Sequence, residues 1–342
     1  MKNVDYIIVG DGFAAYFFAH QLLKNDKTFI LFSSNKAGAS KVSAGIVNPL
    51  VLKKFTTFWL AAEQIEFLKN TLAEIEMYTG SNYLISENIH RIFHDNSERE
   101  LWISKTETPE LKPFLNTEFK KLKHIQNPFA TGKVNHSARV DVANFFQDFA
   151  KILDGKNALI FEEFHYKKLA GSSYGDLSFK HLVFCEGMGV RKNPYFKDLQ
   201  VIPNKGHHLK VRLNQTLEDG LTLKKKHFLF PLGNDEYYYG GTYDPNEREN
   251  VVDDFKREEL ETGLREFYPH SYETIEINYG FRPTVKDRRP ILGRHTQHSN
   301  YYIFNGLGAR GILNGCYFSK HLFEYIEYGK ELMPEVDLKR FS

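Results

Sequence analysis

The chain has 342 residues, of which 42% are hydrophobic and 26% charged, a balance that fits a globular protein with room for two domains. Lysine plus arginine number 45 against 43 acidic residues, and the resulting net charge of +2 gives no reason to expect a nucleic-acid partner. Two cysteines, Cys185 and Cys316, build neither a disulfide framework nor a zinc site, no H-E-x-x-H or carboxylate cluster appears, and no apolar run reaches the length of a membrane span. No metal, no membrane association and a reducing, cytoplasmic location are therefore expected, the first apolar run being too short for a signal peptide.

Residues 6–9 (Tyr-Ile-Ile-Val) are a short apolar run suited to a strand buried on both faces. The turn Gly10-Asp11-Gly12-Phe13-Ala14-Ala15 follows, then a helical pattern over 13–23 and a second strand over 28–32 that ends at Phe32. This is the opening unit of a doubly wound sheet. A polar loop over 33–45 leads to a helix expected over 58–78. Residues 84–136 read as short strands and proline-interrupted loops, 140–153 as a helix, and 158–161 and 181–184 as strands, the last ending at Glu186-Gly187. A strand-rich stretch over 205–243 alternates in the manner of antiparallel strands. A charged helix over 253–267, a strand over 301–304 and a helix over 312–328 complete the chain.

Nucleotide-binding and strand-rich sections thus alternate, which makes each domain discontinuous. The expected fold class is α/β: a Rossmann-like domain from 1–79, 137–204 and 270–342, with a second, antiparallel-sheet α+β domain from 80–136 and 205–269.

Gly10, Gly12 and Ala15 fit G-x-G-x-x-[GA] between a strand and a helix. The first glycine allows a sharp turn, the second lets a pyrophosphate approach the backbone, and the small third residue lets helix pack on strand. The helix N-terminus then supplies N–H donors and partial positive charge. The acid that ordinarily receives the adenosine ribose hydroxyls, about 20 residues on, is absent: Phe32 is followed by Ser33 and Ser34.

The first 50 residues, the Val183 to Gly187 strand-turn, Gly240-Gly241-Thr242 and nearly everything from Gly280 to Leu322 resemble the FAD-dependent D-amino acid oxidase superfamily, the group of glycine oxidase and sarcosine oxidase. The resemblance implies noncovalent FAD, since Cys316 lies inside the last helix rather than near the Arg-Pro segment. It places Gly10, Asp11, Gly12, Phe13, Ala14, Ala15, Phe32 and Ser33 around the dinucleotide. In the loop Gly38-Ala39-Ser40-Lys41-Val42-Ser43-Ala44-Gly45, Ser40 would bond a phosphate, with Ser43, Ala44 and Gly45 passing close to the cofactor. Tyr166 would hold a backbone contact to adenine and Gly187 the strand-end turn. Without the ribose acid, FAD is expected to bind more loosely than in relatives that keep it, and Ser33→Glu to tighten it.

Gly280-Phe281-Arg282-Pro283-Thr284-Val285-Lys286-Asp287 is similar to the family's G-x-R-P-x-x-x-D stretch, whose arginine grips a substrate carboxylate; a planar guanidinium does so bidentately and keeps its charge. Gly308, Ala309, Arg310, Gly311, Ile312 and Leu313 match the start of the family's last helix, which points at the flavin, with Arg310 adding charge to flavin or substrate. The implied activity is oxidation of the C–N bond of a small amino or N-alkylamino acid, or an amine, by hydride transfer to flavin N5, with oxygen or another acceptor reoxidising it. A flavin dehydrogenase, an oxidase resembling the tRNA-wobble-modifying enzymes, and a flavin-binding protein without turnover stay open as alternatives.

Overall fold

The computed structural model describes residues 2–36, 38–246 and 249–341. Parallel strands form the centre of the first sheet, in the spatial order Leu159–Ile160, Phe29–Phe32, Lys2–Val9, Leu177–Phe184 and Tyr301–Asn305, with Ile291–Arg294 antiparallel at the edge. Tyr6 and Ile8 enter one core cluster with Phe17, Phe18, Phe145 and Phe318, while Ile7 and Val9 enter another with Ile30, Phe32, Leu182 and Phe184. Both faces are covered here, which is why residues 6–9 of the first strand are continuously apolar instead of alternating.

Helices Phe13–Lys24 and Gly311–Tyr328 pack side by side on the first of these faces. Close approach depends on the second helix being bare where it meets Phe13: a Cβ on Gly311 or Gly315 would stand 3.3 or 3.2 Å from that side chain. Phe13 and Gly311 each open their helix, so the two N-terminal turns are brought together.

The second sheet runs in the order Tyr272–Thr284, Ile202–Leu213, Glu236–Gly240, Phe228–Gly233, Leu221–Lys224, Asn88–Ile92, Thr131–Val134 and Phe119–Lys120. It is antiparallel except where Leu221–Lys224 lies parallel to Asn88–Ile92. Leu209, Val211, Leu229 and Tyr239 bury one face against Leu260 and Leu264 of helix Asp254–Arg265. The opposite face carries Asn204, Gly206, His208, Tyr238, Phe230, Gly280 and Arg282, since directly paired residues share a face and strand neighbours alternate. Tyr272–Thr284 pairs along its length with Ile202–Leu213, so this stretch of the 270–342 segment is a strand of the second sheet.

Within 84–136, read from sequence as strands and loops, the structure has a helix at Asn96–Thr106. Asp95 caps it by accepting from the Glu98 N–H at 2.7 Å, and the Glu98 carboxylate returns to the His94 N–H at 2.7 Å. Its only buried side chains are Trp102 and Thr106, so no apolar stripe announced it. Among the described residues no helix is long and apolar enough to cross a membrane, and no His, Cys, Asp or Glu group could hold a metal ion.

Candidate active site

The turn after the first strand is held open by glycine. Gly10 has φ of +121°, and a Cβ there would stand 2.3 Å from the Cys185 carbonyl oxygen at the end of Leu177–Phe184. Gly12 is the N-cap of helix Phe13–Lys24 and brings no side chain to it; a Cβ would lie 2.8 Å from Ser40 Oγ. Ala14 and Ala15 are packed in the core, so any contact they make to a bound group is through backbone N–H. Phe32 packs edge-on to Phe164 and Tyr174 at the end of its strand.

The loop over 38–45 folds back onto this turn. Ser40 Oγ accepts from the Phe13 N–H at 3.2 Å, so the serine assigned to a phosphate touches the helix terminus itself. Ser43 Oγ is buried with no hydrogen-bond partner among the described residues, and Ala44 beside it is half-buried. Gly45 is required by a different neighbour: its φ is +68°, and a Cβ would sit 2.1 Å from the Val140 carbonyl oxygen. Lys41 and Ser33 both reach Asp11, each at 2.7 Å from Oδ2.

Gly187 (φ +53°) follows the strand Leu177–Phe184 and its carbonyl accepts from Asn305 Nδ2 at 2.9 Å. The Tyr166 hydroxyl donates to Glu186, whose other oxygen accepts from Asn193 Nδ2 at 2.6 Å. Burial raises the Glu186 pKa, and these two hydrogen bonds pull it back.

Arg282 lies on the free face of the second sheet. Its Nη1 donates to Asn204 Oδ1 at 3.1 Å and to the Thr242 carbonyl at 3.0 Å. Gly206 and Gly241 leave space for the guanidinium, since a Cβ on either would lie 2.3 or 2.9 Å from Nη2. No carboxylate of the described residues pairs with it, and burial pulls its pKa below the usual arginine value. His208 follows on the same face, its ring stacked 4.4 Å from Tyr238, which stacks in turn 4.6 Å from Phe230. Burial first, then Arg282 and His207, push the His208 pKa down to about 4, so its imidazole is neutral at pH 7.

A Cβ on Gly280 would come 2.7 Å from Val42 Cγ2, so the strand that carries Arg282 rests on the loop over 38–45. The turn Gly308–Arg310 also packs on that strand. Arg310 donates to the carbonyls of Asn48 at 3.0 Å and Leu50 at 3.4 Å and lies 3.9 Å over the Phe58 ring, with burial drawing its pKa down to about 10. It thereby pins the segment after the loop. Gly308 has φ of +60°, Ala309 is exposed, Gly311 opens the last helix, and Ile312 and Leu313 bury their side chains in the core.

Sequence reasoning passed over Asn204, His208, Tyr238 and Lys41 as site residues. The signal for the first two is the alternation Asn204, Gly206, His208, which acquires meaning once Gly206 pairs with Gly280.

These residues fit FAD. A side-chain-free N-cap offers the N–H groups of a first helical turn, two glycines clear the approach, and an orphaned Ser43 hydroxyl lies in the loop, where Lys41 balances the Asp11 carboxylate. The family profile described as DAO, FAD dependent oxidoreductase, matches residues 5–325. Glycine oxidase of Bacillus subtilis is 24% identical over 345 residues, covering 91% of this chain and 90% of the relative. Among solved structures, glycine oxidase from Geobacillus kaustophilus superposes with a TM-score of 0.78 at 18% identity, covering 100% of this chain and 98% of the other. Iminodiacetate oxidase from Chelativorans sp. gives 0.77 at 17% identity, with 98% of each chain covered. The chain belongs to the DAO family of FAD-dependent oxidoreductases, and FAD is its cofactor.

Proposed function

We propose that this enzyme oxidises the C–N bond of an amino acid or N-alkylamino acid, using noncovalently bound FAD in the cytoplasm. The observation that carries the reading is Arg282: a half-buried guanidinium without a carboxylate partner among the described residues, set on the sheet face that meets the cofactor loop. An enzyme keeps a buried cation unpaired where a substrate anion completes it. Two relatives in the same fold, a glycine oxidase and an iminodiacetate oxidase, bear names of amino-acid substrates. Both thiols, Cys185 and Cys316, are buried, which suits noncovalent cofactor binding and a reducing compartment.

When bound, FAD supplies the hydride acceptor and passes its electrons to oxygen or another acceptor. Arg282 holds the substrate carboxylate through the guanidinium edge that Asn204 and Thr242 leave free. Asn204 Oδ1 and the Thr242 carbonyl fix the plane of the guanidinium, so the substrate is oriented before chemistry begins. His208, being neutral, adds no second positive charge to the face that carries Arg282. Phe230 and Tyr238 give an apolar wall that excludes water. The oxidised substrate leaves as an imine for hydrolysis in water.

The test is anaerobic rapid mixing of the purified flavoprotein with a panel of amino acids, N-methyl amino acids and the matching amines without a carboxylate. Bleaching of the flavin by the acids alone is expected. Equal bleaching by the decarboxylated amines would overturn the reading.

A further inference from the structure

We propose that Asp11, inside the glycine turn, is the acceptor for the adenosine ribose hydroxyls of FAD, replacing the acid that the second strand lacks. The second strand ends at Phe32, and Ser33 stands where that acid would be. Ser33 is 2% exposed, and its hydroxyl donates to Asp11 Oδ2 at 2.7 Å, so a carboxylate is present one hydrogen bond away from the vacant position. The same Oδ2 receives Lys41 Nζ at 2.7 Å. Oδ1 receives nothing from the described residues and is left for a ligand donor. Ser33 Oγ itself accepts from the Asn35 N–H at 3.1 Å, which fixes the hydroxyl to point at Asp11.

Two consequences follow from the chemistry. A carboxylate beside a pyrophosphate site is repelled by the diphosphate, and the Lys41 ammonium offsets that repulsion at close range. A carboxylate acceptor also favours a free ribose diol and disfavours a 2′-phosphate. Ser33, Asn35 and Lys41 further line a cavity of about 350 Å³, with Tyr16 and the exposed Phe161 on its walls, which gives the adenosine half room beside this network. Ser33→Glu would set a second carboxylate against Asp11, so with Asp11 as the acceptor this change should loosen FAD instead of tightening it.

The experiment is displacement of FAD from the holoenzyme, followed by flavin fluorescence, with ADP, 2′-deoxy-ADP, 3′-deoxy-ADP and 2′,5′-ADP. The wild type is expected to favour ADP over the deoxy forms by about tenfold, the worth of a charge-assisted hydrogen bond. Asp11→Asn is expected to lose that preference. The ratio is insensitive to the Lys41 charge left without its counter-charge when Asp11 is replaced. No ADP preference in the wild type, a preference that survives Asp11→Asn, or a preference for 2′,5′-ADP would each overturn the assignment. The wild-type comparison stands even if Asp11→Asn does not fold.

Discussion

The guanidinium of Arg282 lies across the backbone of Gly206, where a Cβ would stand 2.3 Å from Nη2 and 2.4 Å from Nη1. The pairing Gly206↔Gly280 and Asn204↔Arg282 sets this contact, so one strand register makes both the room for the cation and the amide that orients it. With Arg282 as the proposed carboxylate clamp, its strand neighbours would act on the substrate through the position of the guanidinium.

Gly206→Ala should displace the head group of Arg282 without unfolding the sheet, because the obstructing atoms end a flexible side chain. Affinity for simple carboxylate inhibitors should fall by about tenfold or more, roughly 1.4 kcal/mol. Stability should change by no more than about 1 kcal/mol, and flavin content should hold. Titration of the flavin spectrum with a carboxylate, beside thermal melting of the same sample, checks both parts.

Gly10→Ala acts on the other half of the site. The substitution meets both a φ of +121° and a backbone oxygen at 2.3 Å, and that oxygen belongs to the neighbouring strand. A loss of about 2 kcal/mol or more is expected, together with a low flavin-to-protein ratio after purification. A fully flavinated variant that melts with the wild type would contradict this.

Acid should destabilise the fold through buried histidines. His90 and His227 are 7% and 5% exposed, and burial is the first cause that lowers each pKa to about 4. An unfolded histidine titrates near 6.5, so between about pH 6.5 and pH 4 the unfolded chain binds protons that the native one does not. The stability held by neutral burial is complete above about pH 6.5 and is lost as pH falls towards 4. His90→Gln, which keeps a polar group opposite Thr131 Oγ1, should flatten the fall of melting temperature across that window. An unchanged slope would assign the acid sensitivity to other groups.

The glycine turn was legible from sequence because its determinants are local: a buried strand, two glycines and an alanine in six residues, and a helix. The Arg-Pro segment was legible as a family resemblance, but its surroundings were not. Asn204 and His208 lie seventy or more positions before their partners on Tyr272–Thr284, and only the pairing register shows that they share a face with Arg282. Gly45 read as a small residue beside the cofactor, whereas the Val140 carbonyl is what forbids a side chain there. The helix Asn96–Thr106 escaped because it buries so little, although Asp95 and Glu98 carry its capping signal in plain view.

The most direct test of the account is the effect of Arg282→Leu on carboxylate binding. Purified with its flavin, the variant should show no spectral response to simple carboxylates and almost no reduction by amino acids. Arg282→Lys should recover only part of both, because an ammonium keeps the charge but loses the planar two-point fit. If carboxylates still perturb the flavin of Arg282→Leu with wild-type affinity, the clamp lies elsewhere and the proposed substrate geometry is wrong.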